Sequence, residues 1–390
     1  MFHTILLFQS IDAFDYTNLK ACLSQLSKEK NSRHFTNPNH TNERIYELYK
    51  GHGIIIILRC ARKPNRPRSN NIQGNINQDS QGINYHAIEI RLNPKVLIQA
   101  NEYVEVARES DFSEICDQFK KVLKPLQKKF EASPSKNIYR FNKLEEYQVN
   151  RIDYCINIRS TMHKELIELI RRAEIPARFS PVTKSDKKSG REVAYKNSFY
   201  IQTQNHSVVV NFYNKEHQMY NEFESYERLN DASNIIRLEI QCQKGKTNSL
   251  KQKFKWKYRD LINFANDDIA RKLIYYYYEK TVGFEDYYTL NEAKRRVKSC
   301  DNHRKKTIDK MIEILELVNQ KRSIYQALLS YSDNLEDRDD VAEFNSIIKK
   351  IRKSGVNPVT IPINWGYSHI PNLVEEMDKE FTQLLRVVID

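Results

Sequence analysis

The sequence predicts an α+β protein: an antiparallel sheet with one polar, catalytic face and helices on the other, followed by a C-terminal helical domain. Three observations lead there. Four separate segments alternate polar and apolar residues, the pattern of strands with one face in a core. Stretches with apolar residues at helical spacing lie between them. Beyond about Thr289 the alternation stops and helical spacing takes over.

The alternating segments carry the argument for function. Two of them, 198–204 and 208–215, read as a hairpin. Their free faces hold Tyr200, Gln202 and Gln204 on one strand and Asn211, Tyr213 and Lys215 on the other. A strand over 235–241 presents Arg237, Glu239 and Gln241, and an earlier one over 151–158 presents Arg151, Asp153, Cys155 and Asn157. Four strands sharing one polar, charged face exceed what solubility requires, so that face reads as an active site. Cys155 reads as a small filler beside Asp153, since no base is placed next to it.

Taken in order, the segment Met1 to Leu7 is apolar but lacks a basic leader region and a small-residue cleavage site, so it reads as a first strand. Residues 53–58 read as a buried strand, and 63–84 as a polar loop without period. Residues 85–92 alternate again and end at Asn93-Pro94, a turn signal. His86 and Glu89 fall on opposite strand faces, which argues against a shared metal. Phe112, Ile115, Phe119, Val122, Leu123, Leu126 and Phe130 predict a helix, with Asp111 and Glu114 as a capping box and Pro125 as a kink point. Residues 131–136 end it.

A helix over about 162–173 follows the strand at 151–158, with Leu166, Ile167 and Ile170 facing in. A basic loop with Lys184, Lys187, Lys188 and Arg191 leads to the hairpin, and a helix from Glu216 to Leu229 leads on to the strand at 235–241. The tail predicts helices over 289–297, 304–318, 323–331 and 341–354, the last stopped by Gly355. Between Ala293 and Arg322 ten basic residues face four acids, which suits a duplex-binding helical module of helix-turn-helix kind; a plain dimerisation domain is the other reading. The expected division is an N-terminal α+β domain over 1–135, itself a candidate DNA binder, a catalytic domain over 136–285 and a helical DNA-binding domain over 286–390.

Composition narrows the partners. A net charge of +13 and a pI near 9.2 point to a polyanion. No apolar run of about 18 residues is present, so a spanning helix is excluded and no membrane partner is expected. The six cysteines are scattered with no C-x-x-C pair, which argues for the reducing cytoplasm and against a zinc or disulfide framework. No Walker-type glycine-rich loop is visible, so duplex unwinding by this chain's own ATP hydrolysis is not expected.

One further stretch suits nucleic acid. From Lys244 to Arg259 the basic residues Lys244, Lys246, Lys251, Lys253, Lys255, Lys257 and Arg259 interleave with Phe254, Trp256 and Tyr258. Cations neutralise phosphates, and aromatic rings stack unpaired bases at about 1–3 kcal/mol each. A solvated helix face with its aromatics in the core has equal weight.

The polar sheet face also has its chemistry. Asp153 and Glu239 are acids on separate strands, able to hold one hard cation, Mg2+ or Mn2+, through oxygen. Arg151, Lys215 and Arg237 are cations suited to a phosphodiester transition state. Tyr200 and Tyr213 are hydroxyl nucleophile candidates. Any one Arg-x-acid pair alone reads as a simple ion pair; the pattern over four strands changes that reading.

The order Arg151-Ile152-Asp153, Tyr200-Ile201-Gln202, Phe212-Tyr213-Asn214-Lys215 and Arg237-Leu238-Glu239 resembles the replication initiation factor family, the rolling-circle plasmid initiators and related conjugative-element nickases or relaxases. The resemblance covers about residues 150–242. It implies site-specific nicking of one DNA strand at an origin, a covalent 5′-phosphotyrosine and a divalent metal. By position it implies Tyr200 as nucleophile, Asp153 and Glu239 as metal ligands, and Lys215 as the family's lysine. Asn157 stands where the family often has a second acid, and becomes a weaker third ligand. Gln202 stands where it usually has glycine. Tyr213 and Tyr220 are the second and third nucleophile candidates. The expected partners are single-stranded or hairpin origin DNA, a host helicase and a second copy of the chain. The rival reading is a non-catalytic origin-binding or regulatory protein on a degenerate nuclease scaffold; an RNA-binding protein built on residues 244–259 comes third.

Overall fold

The computed structural model describes residues 1–38, 40–62, 84–131, 140–185, 192–195, 198–222, 229–300 and 303–386. Most of the expected polar loop at 63–84, the helix break at 132–136 and Lys187, Lys188 and Arg191 of the basic loop lie outside the described residues. The protein is a mixed helix and sheet structure whose large-sheet strands pair antiparallel, with a helical C-terminal region. Its strands are β1 (Phe2–Ile11), β2 (His34–Asn37), β3 (His40–Tyr49), β4 (Ile54–Arg62), β5 (Asn84–Leu92) and β6 (Gln148–Arg159). Then come β7 (Phe179–Pro181), β8 (Thr183–Ser185), β9 (Glu192–Ala194), β10 (Ser198–Thr203), β11 (Val208–Asn214) and β12 (Ile235–Cys242), with the two-residue strands β13 (Tyr287–Tyr288) and β14 (His369–Ile370) near the end. The chain divides into two compact units, 1–153 with 242–267, and 154–241 with 268–390.

In the first unit the strand order is β2-β3-β4-β5-β1-β6. β4 and β5 pair Ile56 with Ile90 and Leu58 with Ile88, all of them buried. Gly53 turns the chain into β4 at φ +71°, and a Cβ there would lie 2.6 Å from the Asn93 carbonyl oxygen, so only glycine fits. The helix Ala13–Glu29 buries Leu19, Leu23 and Leu26, and the helix Phe112–Glu131 buries the expected Ile115, Phe119, Leu123, Leu126 and Phe130. Pro125 lies inside that helix without ending it. Asp111 caps the turn before the helix, accepting from the Arg108 backbone N–H at 3.1 Å and from Lys95 at 3.1 Å, in place of the expected box with Glu114.

In the second unit the order is β6-β12-β11-β10-β7. The hairpin pairs Phe199 with Phe212, Ile201 with Val210, Tyr200 with Asn211 and Ser198 with Tyr213. The apolar residues of this set face helices. Phe212 meets Tyr278 of the helix Asp267–Thr281 at 5.9 Å between ring centroids, and the helix His163–Ile170 buries Leu166, Ile167 and Ile170 as expected. The tail folds into the helices Leu290–Lys298, Lys305–Lys321, Ile324–Tyr331 and Arg338–Lys353, close to the expected spans, with Gly355 at φ +72° just beyond the last. Met311, Leu315, Val318, Phe344, Ile348 and Ile351 form their core.

Two expectations about this sheet are corrected. The polar face is not free: Arg237 is 0% exposed, Asp153 0%, Lys215 2%, Glu239 6% and Asn157 7%. The alternation in the sequence marks two chemically different buried faces, not a core and a solvent side. The second correction concerns Lys215. β11 ends at Asn214, whose side-chain oxygen accepts from the His217 backbone N–H at 2.9 Å. That N-cap starts the helix Lys215–Glu222, so Lys215 opens a helix where a strand position was expected. The expected helix is described as far as Glu222, residues 223–228 lie outside the described residues, and a short turn spans Leu229–Ala232.

Candidate active site

In the second unit, motif residues far apart in sequence meet side chain to side chain. Arg237 Nε donates to Asn157 Oδ1 at 2.8 Å, joining β12 to β6. Tyr213 donates its hydroxyl to Glu239 Oε2 at 3.2 Å, joining β11 to β12, and Gln241 Nε2 donates to the other Glu239 oxygen at 2.7 Å. Lys215 Nζ donates to Gln218 Oε1 at 2.7 Å within its own helix. Cys155 belongs to the same surroundings, since it acts electrostatically on Tyr213, Lys215 and Arg237.

Burial sets the protonation of this group. Desolvation, then the Glu239 carboxylate, push the Tyr213 phenol well above its ordinary range, against the pull of Arg237. Desolvation, then the Arg237 cation, push the Lys215 amine well below its ordinary range. Burial works against the Arg237 charge as well, but Tyr213, Cys155 and Glu239 around it outweigh that and hold the guanidinium firmly protonated. Tyr213, half-buried like Tyr200 but hydrogen-bonded to Glu239 and hard to ionise, is therefore the poorer nucleophile.

Tyr200 lies on the same sheet face, one cross-strand step from Tyr213, because it pairs with Asn211 while Tyr213 pairs with Ser198. Its ring is half-buried and meets Tyr195 edge to face at 5.3 Å between centroids. The Asn211 side-chain oxygen opposite Tyr200 is buried with no hydrogen-bond partner among the described residues. Asn211 shared the predicted face without a chemical role; only the folded register sets its amide across from Tyr200. Tyr220, on the helix after β11, is 61% exposed.

The remaining sheet residues lie in the first unit. Arg151 grips Asp153 with both arms, Nε to Oδ1 at 2.7 Å and Nη2 to Oδ2 at 2.6 Å. Asp153 is buried and Arg151 partly exposed. This is the ion-pair arrangement that an Arg-x-Asp strand favours when taken alone.

The oxygen donors expected to hold Mg2+ or Mn2+ are thus engaged. Asp153 receives a guanidinium, Asn157 receives Arg237, and both Glu239 oxygens receive N–H or O–H donors. Among the described residues no three His, Cys, Asp or Glu side chains converge in a way that holds an ion. As arranged, this donor set fits a hard dication poorly, because it is built around arginine.

The basic-aromatic stretch also lies in the first unit. Lys244–Lys253 is a helix, followed by turns. Lys244, Lys253, Lys255 and Lys257 are exposed, and Lys246 and Lys251 half-buried. Trp256 stacks on Phe254 at 5.0 Å and meets Phe264 edge-on at 5.0 Å, so it anchors the turn to the core. Tyr258 is 53% exposed with Lys257 over its ring. Arg259 is committed to structure: its Nη1 donates to the Val149 carbonyl at 2.9 Å, and its backbone N–H to Gln148. The stretch offers exposed lysines and two exposed aromatics, Phe254 and Tyr258, with Trp256 and Arg259 as its supports.

No helix among the described residues is long and apolar enough to cross a membrane. No protein-family model and no curated protein matches the chain. Among solved structures the chain is similar to a rolling circle replication initiator protein from Geobacillus stearothermophilus, at 10% identity over 65% of this chain and 77% of that one, with a TM-score of 0.27. That score is too low for the likeness to carry fold or activity from one chain to the other.

Proposed function

We propose that the protein is a DNA strand nickase of the rolling-circle initiator kind, with Tyr200 as its nucleophile. The observation that supports this best is the meeting of the ordered motifs on one sheet face: Asn157 with Arg237, and Glu239 with Tyr213, on the face that also bears Tyr200. In the proposed step the Tyr200 hydroxyl oxygen bonds to phosphorus and the bond from phosphorus to the 3′ oxygen breaks. The tyrosyl proton passes to water, and the departing 3′ oxygen takes up a proton from water in turn. Arg237, wholly buried, ties β12 to β6 behind that face through Asn157. Tyr213 and Glu239 position the strand pair, and Arg151 and Asp153 brace β6. No step of this proposal runs through Mg2+ or Mn2+. DNA, single-stranded or as an extruded hairpin, is the partner the basic charge supports; a host helicase, a homodimer and a cytoplasmic location complete the reading.

The rival reading, a DNA-binding protein on a degenerate nuclease scaffold, is favoured by the same saturation of the acids. A nicking assay separates the two. Supercoiled plasmid carrying the protein's own origin is incubated with the chain and Mn2+, then treated with SDS. An open circle bearing covalent protein, lost in Tyr200→Phe, supports the nickase. Tight binding with no cleavage under any divalent metal supports the binder.

A further inference from the structure

The second unit holds a cleft of about 610 Å3 that the nicking step does not use. Its walls come from separate parts of the chain. Arg172 follows the helix His163–Ile170; Thr289 and Asn291 open the helix Leu290–Lys298; Asn319 and Arg322 close the helix Lys305–Lys321; Trp365 closes the short turn Ile363–Trp365. The lining contains two arginines and no carboxylate, so the cleft is cationic within itself. The Arg172 guanidinium lies 5.8 Å from the Trp365 ring centroid and forms a long ion pair with Glu168 at 4.0 Å. Trp365 also borders a neighbouring opening with Tyr367, so the indole sits between two open spaces. Asn319 has its amide oriented, because its oxygen accepts from the Thr360 hydroxyl at 2.8 Å. Thr289, at the N-cap of its helix, gives it no side-chain cap. Arg322 holds φ +52°, a conformation that glycine or asparagine adopts more readily.

Two arginines in the lining, with one long ion pair from Arg172 to Glu168 outside it, leave room for an anion. A flat indole and oriented amides beside them call for a planar, hydrogen-bonding ring. We propose that this cleft binds a nucleotide, with its phosphate on Arg172 and Arg322 and its base stacked on Trp365 within reach of Asn291 and Asn319. The volume is in the range of small-molecule sites, about 300–1,000 Å3. The ligand is either a free nucleotide or one unpaired nucleotide of a DNA strand; the chemistry is the same. This inference stands apart from the nicking step, and Tyr200→Phe leaves it unchanged.

The test uses the full chain with Trp256→Phe, so that Trp365 is the one remaining tryptophan. Its emission is followed during titration with dTMP, a short oligothymidylate and inorganic phosphate. Quenching by dTMP and by the oligomer identifies a site open to free nucleotides; quenching by the oligomer alone identifies a strand-bound nucleotide as the ligand. Arg322→Asn, which removes the cation and suits the backbone, is expected to weaken binding roughly tenfold. Inorganic phosphate binding as well as dTMP would overturn the inference in favour of a plain anion site. No quenching by any probe, or affinity unchanged in Arg322→Asn, would overturn it outright.

Discussion

Each unit buries a polar group on its sheet, and burial acts mainly on an acid in one and on a base in the other. In the first unit Arg59 serves two acids, Glu43 at 2.7 Å and Glu89 at 2.8 Å, with Asn150 also donating to Glu89. That group has one cation for two carboxylates. In the second unit Arg237 and Lys215 are gathered with the carboxylate Glu239, a phenol and an amide, and Glu222 acts on Lys215 as well. Both groups shift toward neutrality. Burial, opposed by Arg59, raises the Glu89 carboxyl so that it keeps its proton longer, whereas burial and Arg237 lower the Lys215 amine so that it gives its proton up.

The sharpest way to break this comparison is to remove each arginine. Arg237 is wholly buried, whereas the Arg59 side chain is 34% exposed. Arg237→Ala leaves Asn157 and Glu239 buried without their cation and is expected to cost about 3–5 kcal/mol. Arg59→Ala lets water reach its acids and is expected to cost about 1–3 kcal/mol. Hydrogen exchange in β12 and in β4 reads the two losses separately; a larger loss from Arg59→Ala would reverse the contrast. Next in size is Tyr213→Phe, which removes the bond to Glu239 and should cost about 1–2 kcal/mol in the same measurement.

The pH dependence sharpens the contrast by sign. Glu89 has a folded pKa above its ordinary 4.5, so the folded first unit holds its proton more tightly than the unfolded chain. Its stability contribution is present below 4.5 and is lost as pH rises through the raised value. Lys215 has a folded pKa below its ordinary 10.5, so the unfolded chain holds that proton more tightly. Between the lowered value and 10.5 the second unit therefore gains stability as pH rises. Denaturation followed against pH should lose the first trend in Glu89→Gln and the second in Lys215→Met. The smallest stability effect is expected at the basic helix and turn. Lys253→Ala and Lys257→Ala should change stability by less than about 0.5 kcal/mol. Each should nevertheless reduce the salt slope of single-strand binding by about 0.7.

Much of the fold was legible because its signals are local. The period-two alternation placed β6, β10, β11 and β12, and helical spacing with Ser323 and Gly355 placed the tail helices. The hidden parts depend on tertiary context. The alternation at Arg237, Glu239 and Asp153 is the same whether the polar face meets water or protein, so burial of that face could not be read from the pattern. The helix at Lys215 was signalled by Asn214, a strong N-cap, but the flanking strand pattern masked it. The helix Asp267–Thr281 was missed because its tyrosine run Tyr275–Tyr278 obscures its spacing. Of the candidate site, residue types and order were visible. The contacts Asn157 with Arg237 and Tyr213 with Glu239 were not, since each joins strands that only the folded register sets side by side.

The measurement that bears most directly on the nickase reading is mass spectrometry of the covalent adduct. The chain is incubated with origin DNA and Mn2+, digested with protease and nuclease, and searched for a peptide carrying a phosphotyrosyl nucleotide. A modification on Tyr200 is the predicted result. A modification on Tyr213 or Tyr220, or DNA bound tightly with no modified peptide at all, would contradict it.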